Sequence, residues 1–204
     1  MLYLYEFSYK YNIIIIIFDI YISIFAMKIQ RYILFVAAML AVIACSDSRK
    51  EDPIREAISN YLVNEIGPNY LQGEICIPVI MIAATEENGQ SPTRVWGDFW
   101  VDWYNREGDT LKTVSGGNHS GCMTIEVKDG KPFVTAFEQT VDGAGNEQSA
   151  RRIFGKHYDA FHNIHSNQDV REAYRKEAIQ NYCKSNGLDV RYYQDYGWPA
   201  VDIR

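Results

Sequence analysis

The sequence predicts an α+β fold, and three observations predict it. Apolar residues recur at helical spacing over residues 54–66. Over residues 75–141 the pattern changes to strand-like alternation, broken by short turn signals. Beyond the glycines at 143 and 145 the helical period returns. The expected order is an N-terminal helix, a curved four-stranded antiparallel sheet and two C-terminal helices, all within one domain over residues 53–204.

Asp52-Pro53 opens the first helix. An aspartate accepts hydrogen bonds from the free amides of a first turn, and the fixed φ of proline suits the first helical position. Ile54, Ala57, Ile58, Tyr61, Leu62 and Ile66 form its apolar stripe, and Gly67-Pro68 ends it. Residues 75–84 are rich in branched side chains and read as the first strand. Pro78 has no amide hydrogen, which places it at an edge or a bulge. A polar loop over 85–93 leads to residues 94–106, which alternate throughout. Glu107-Gly108-Asp109 then turns the chain. A third strand starts at 110–114, meets a glycine-rich stretch that reads as bulged or looped, and resumes at 122–127. Asp129-Gly130 is a two-residue hairpin signal, followed by a fourth strand over 131–141.

A helix over 147–164 would carry Ala150, Ile153, Phe154, Tyr158 and Phe161 on one side. Ser166 with Asp169 resembles a capping box for the last helix, and Gly187 is its natural end. Residues 190–193 read as a short strand. Tyr196-Gly197-Trp198-Pro199 reads as a tail packed onto the domain.

The order of elements over residues 53–141 resembles the cystatin-like and nuclear-transport-factor-two-like folds. The chain is also similar to small lipoproteins of unknown function from gut-type Gram-negative bacteria. The resemblance implies a sheet curled around the first helix. The two C-terminal helices depart from those folds and would cover the open face of the sheet, filling the cavity such folds use for ligands.

Ahead of the domain the sequence is a leader. Met27 is followed by Lys28 and Arg31, then by an uncharged run from Tyr32 to Ala44, then by Cys45. That run is too short to span a bilayer, which takes about 20 residues. Val42-Ile43-Ala44-Cys45 resembles the lipobox of bacterial lipoproteins. The resemblance implies that the Cys45 thiol takes a diacylglycerol, that a peptidase cuts before it, and that the new amine receives an acyl chain such as palmitate. Residues 27–44 are then the signal peptide and 45–52 a polar tether. Residues 1–26, with five consecutive isoleucines, read as an upstream start-site error or an apolar extension, translation beginning at Met27. The expected location is the cell envelope, lipid-anchored, at the outer membrane, with either face open. Ser46-Asp47 resembles an acidic surface-export signal, diluted by Arg49 and Lys50.

Removing Lys10, Lys28, Arg31, Glu6 and Asp19 with residues 1–44 leaves 17 basic and 24 acidic residues, a net charge of −7. That balance excludes nucleic acid as the main partner. Membrane contact is expected through the anchor alone. Once Cys45 carries lipid, Cys76, Cys122 and Cys183 remain. In an oxidising compartment Cys122–Cys183 and Cys76–Cys122 are both open pairings, as are three unpaired buried thiols.

Candidate chemistry gathers on the strand at 94–106. Val95, Gly97, Phe99, Val101 and Trp103 form a core side. Trp96, Asp98, Trp100, Asp102 and Tyr104 form the other, alternating aromatic rings with carboxylates. Asp98 and Asp102 stand about 13 Å apart, too far to share a proton. They could flank an aromatic groove for a glycan or peptide, or the rings could pack under the last helices. His157, His162 and His165 drift around a helix and read as surface or capping residues, so no metal is expected, nor any cofactor. Ser115 to Cys122 holds His119 beside glycines, but a strand rather than a helix follows, which is wrong for a phosphate cradle. Asp109-Thr110-Leu111 resembles the O-glycosylation sequon of gut anaerobes, marking Thr110.

No catalytic signature stands out. The reading is a membrane-tethered, non-catalytic domain binding a glycan, peptide or protein through the aromatic face. The alternatives are a structural component of envelope assembly, or a small cavity enzyme using Asp98 or Asp102 with a histidine such as His119.

Overall fold

A computed structural model describes residues 52–87, 89 and 92–204. Cys45, the leader and all of the tether except Asp52 lie outside the described residues. Among the described residues no helix is long and apolar enough to cross a membrane.

Helix α1 (Pro53–Tyr61) starts as its sequence dictates. The Asp52 side chain accepts from the Ile54 amide at 3.0 Å, and Pro53 takes the first position. The chain keeps winding through a π turn (Leu62–Ile66) and a 3-10 turn (Gly67–Asn69). Ala57, Ile58, Leu62 and Ile66 of the expected stripe are buried. The Trp103 indole donates to the Gly67 carbonyl at 2.9 Å, tying the end of this helical run to the sheet.

Strands β1 (Ile75–Glu86), β2 (Thr93–Glu107), β3 (Thr110–Lys128) and β4 (Lys131–Gln139) form the expected antiparallel meander. The sheet itself is larger than expected and mixed. β5 (Tyr192–Gln194) runs parallel to β3 at residues 110–112, and β6 (Val201–Asp202) pairs antiparallel with β5, making six strands. The reason lies in strand length. β4 pairs with the C-terminal half of the 19-residue β3, and the tail of the chain takes part of the edge left beside the other half.

Pro78 sits on an edge strand, where its missing donor costs no ladder bond, and the bulge of β1 falls at Ala83 instead. The glycine-rich stretch lies inside a continuous β3, whose bulge toward β2 is at Val114. Asp129 and Gly130 both have positive φ, 53° and 74°, as a tight hairpin turn needs.

Three helices follow where two were expected: α2 (Asn146–Phe154), α3 (Tyr158–His165) and α4 (Gln168–Ser185). Gly155, at φ 51°, adopts the left-handed region that side chains resist, and it breaks the expected 147–164 helix. The cap of α4 is Asn167, which accepts from the Val170 amide at 3.3 Å. Ser166 turns back instead and donates to the His162 carbonyl at 2.6 Å.

The curled sheet is covered on both faces. On one, Ile58, Leu62 and Ile66 pack against Val95, Phe99, Val101, Met123 and Ile125. On the other, Trp96 and Cys122 pack with Ala150, Ile153, Phe154 and Phe161 at one end. Tyr104, Ile77 and Leu111 pack with Ile179, Cys183, Val190, Tyr193 and Ile203 at the opposite end. Between these two apolar clusters runs a polar seam.

Candidate functional site

The seam is built on the second side of β2, where the sequence places Trp96, Asp98, Trp100, Asp102 and Tyr104. It is not an open groove. Asp98 is fully buried and Asp102 is 5 % exposed, Trp96 and Tyr104 are buried, and Trp100 is partly covered. Of the two readings of this face, an aromatic groove or rings packed under the last helices, the burial agrees with the second, and the cause is electrostatic as well as apolar. Each carboxylate on the face meets a basic side chain from a C-terminal helix, so the helices are held down over it.

Asp98 is the first node. One oxygen accepts from the Asn118 amide and from the Ser120 hydroxyl (2.8 Å), both on β3. The other lies 3.1 Å from His165 Nδ1, on the last turn of α3. An ionised carboxylate only accepts, so Nδ1 carries the proton. Burial works against the charge of Asp98, but the bonds from His165, Asn118 and Ser120 outweigh it and hold its pKa below the ordinary value. The His165 ring also stacks on Phe161 at 5.0 Å. An oriented aspartate–histidine pair has the parts of a general base. Here it joins a helix to a sheet.

Arg175 of α4 is the second node. Its two Nη atoms grip Asp195 at 2.7 Å each, its Nη2 also donates to Thr113 Oγ1 at 3.1 Å, and its Nε donates to the Tyr104 hydroxyl at 3.1 Å. Asp102 stands farther off, 3.4 Å from Nε. The Val114 bulge brings Thr113 opposite Tyr104, on the side where it reaches Arg175. Gly116, opposite Asp102, has to be glycine, since a Cβ there would collide with the Asp102 carboxylate and the Val101 carbonyl. Burial pushes Asp102 up to about 6, Arg175 offsets this in part, and the charge of Asp195 adds to it. Asp195 is likewise opposed by burial, but its bonds to Arg175 and Thr113 bring its pKa below the ordinary value.

The other candidates separate. His119 lies on the opposite face of β3 from this seam. Its Nδ1 meets Gln139 Oε1 at 2.7 Å and its Nε2 meets the Tyr70 hydroxyl at 2.9 Å, so it partners neither Asp98 nor Asp102. His157 is 3.0 Å from Glu86, His162 stacks on Tyr158, and His165 serves Asp98. Cys122 and Cys183 belong to different clusters at opposite ends of the covered face. A disulfide needs Cα atoms within about 7 Å, so that pairing is corrected. Cys76, Cys122 and Cys183 are all free thiols. Burial, with help from the Asp102 charge, pushes Cys76 up to about 11, far from a nucleophile's range. Thr110 opens β3 half-buried, its hydroxyl donating to Asp109 at 3.2 Å. A cavity of about 330 Å³, open to solvent, lies at the α3–α4 turn, lined by Asn163, Ser166, Asn167, Gln168 and Asp169.

Two features escaped the sequence reading. Arg171 and Arg175 sit one helical turn apart in a helix crowded with charge, which hid their turn toward the seam. The tail aromatics face outward: Tyr196 is 97 % and Trp198 72 % exposed, not packed on the domain. Their loop is nevertheless held. Asp195 is gripped by Arg175, the Trp198 amide donates to the Asp195 carbonyl at 3.1 Å, and Gln194 donates to the Trp198 carbonyl at 2.9 Å. No protein family, curated protein or solved structure matches this chain.

Proposed function

We propose that this is a lipid-anchored, non-catalytic domain of the cell envelope that binds a protein partner through the Tyr196–Trp198 loop. The observation that carries the reading is that pair of exposed rings on a loop whose base is clamped by Arg175. Small-ligand sites are concave and cover most of their ligand. Two rings this exposed make a projection, and Trp and Tyr are enriched where protein interfaces concentrate their energy. Clamping the loop in advance lowers the entropy lost when it docks. The aromatic–carboxylate side of β2 then serves as the inner wall that holds the helices and, through Arg175, the loop. We read the α1–β4 portion as a cystatin-like variant, supported by one helix packed across a curled antiparallel meander.

Two measurements test this. Mass spectrometry of the membrane fraction should find a mature chain starting at an acylated Cys45; an unacylated chain with its leader intact would remove the anchor. A photo-crosslinking residue at Tyr196 should capture an envelope protein that the same residue at the exposed Glu56 does not. Equal capture at both positions, or none, would remove the loop from recognition.

A further inference from the structure

Along the covered side of β2 the basic groups of the helices are matched to carboxylates, with one exception. His165 meets Asp98, and Arg175 meets Asp195 and Asp102. Arg171 sits between them in sequence and pairs with no carboxylate among the described residues. Its guanidinium carbon is 5.7 Å from the centre of the Trp100 ring. Arg171 Nε and Trp100 Nε1 are both shielded from solvent, and neither has an acceptor among the described residues.

A buried donor left unmet carries a sizeable penalty, so two such donors on facing side chains point to one shared acceptor. The neighbouring acceptors are already engaged. Asp98 is taken by Asn118, Ser120 and His165, and the Asn118 carbonyl oxygen accepts from Ser120 at 3.0 Å. Asp102 is occupied by Tyr104 and Arg175. Trp100 and Arg171 are only partly buried as residues, so a shift of the long Arg171 side chain would open the two shielded donors to a group arriving from solvent. A guanidinium favours an anionic oxygen there over a neutral one, because hydrogen bonds to a charged acceptor are the stronger kind.

We propose that Trp100 and Arg171 form the inner wall of a binding site for a small oxyanion-bearing group, a carboxylate or a phosphate, whose oxygen accepts from Trp100 Nε1 and Arg171 Nε together. The site is distinct from the Tyr196–Trp198 loop and does not depend on it.

The test is a titration of the intact, nitrogen-15-labelled protein with acetate and, separately, with inorganic phosphate, at constant ionic strength set with chloride. The Trp100 Nε1–H and Arg171 Nε–H resonances should move together and saturate. The anion that saturates at lower concentration identifies the better-fitting source. R171Q should weaken the Trp100 response about tenfold or more. W100F keeps an aromatic ring, smaller than the indole, and removes the donor. It should weaken the Arg171 response, and it decides the question if R171Q does not fold. No saturation up to about 100 mM of either anion, far weaker than millimolar binding, would overturn the site. So would an equal response to chloride, or saturation unchanged in W100F.

Discussion

Arg175→Ala is expected to lower folding stability by about 3–5 kcal/mol, measured by urea unfolding at neutral pH. The guanidinium is 13 % exposed and holds four partners from three parts of the chain: Asp102 and Tyr104 on β2, Thr113 on β3, and Asp195 after β5. Removing it leaves Asp102 buried without its cation and takes away the bidentate partner of Asp195. Uncovering one member of a buried pair costs far more than the pair contributes relative to an apolar replacement, because the remaining charge keeps its desolvation penalty. Arg175→Lys should recover only part of the loss, since an ammonium cannot reach Asp195 with two parallel bonds and Tyr104 as well. A loss below about 1 kcal/mol, the range of exposed ion pairs, would show that the node is a surface contact. The same variant should free the Tyr196–Trp198 loop, so crosslinking from Tyr196 should fall along with stability.

The dependence on Arg175 also explains which parts of this protein could be read in advance. Asp52-Pro53, Asp129-Gly130 and the alternation along β2 are local signals. Each is satisfied within a few residues of itself, and each appears where the sequence put it. The burial of Val95, Phe99 and Val101 follows from the same alternation. The parts that were not legible are those decided at long range. A short strand was legible at residues 190–193 and forms at Tyr192–Gln194, but its partner was not: it joins the sheet because β3 outruns β4 and offers an edge. A glycine after Phe154 was visible, but that it takes φ 51° and breaks a helix depends on how Phe154 and Phe161 come to stack, at 3.9 Å between ring centres. Asp98 and Asp102 were legible as unusual residues on an aromatic face. Their partners were not, because His165 and Arg175 lie 67 and 73 positions onward, on helices whose rotation only the packing sets.

Asp102→Asn is expected to remove a loss of stability that the wild-type protein suffers between about pH 4 and pH 6. The folded-state pKa of Asp102 is raised from 3.8 to about 6, first by burial and then by the charge of Asp195. The folded protein therefore holds this proton more tightly than the unfolded chain does. The stabilisation is fully present below the unfolded value and is lost as pH rises through the folded one. A shift of that size corresponds to roughly 3 kcal/mol between the two limits. Asp98 and Asp195 have lowered values and act in the opposite sense, losing stability as pH falls, in a window below about pH 4. Comparing wild type with Asp102→Asn isolates the one group, because all the others titrate in both proteins. The stability difference should move in favour of the variant by roughly 3 kcal/mol from pH 4 to pH 7. Parallel curves would mean that Asp102 is fully matched when ionised. Arg175 would then have to serve two carboxylates equally, which 2.7 Å to Asp195 against 3.4 Å to Asp102 speaks against.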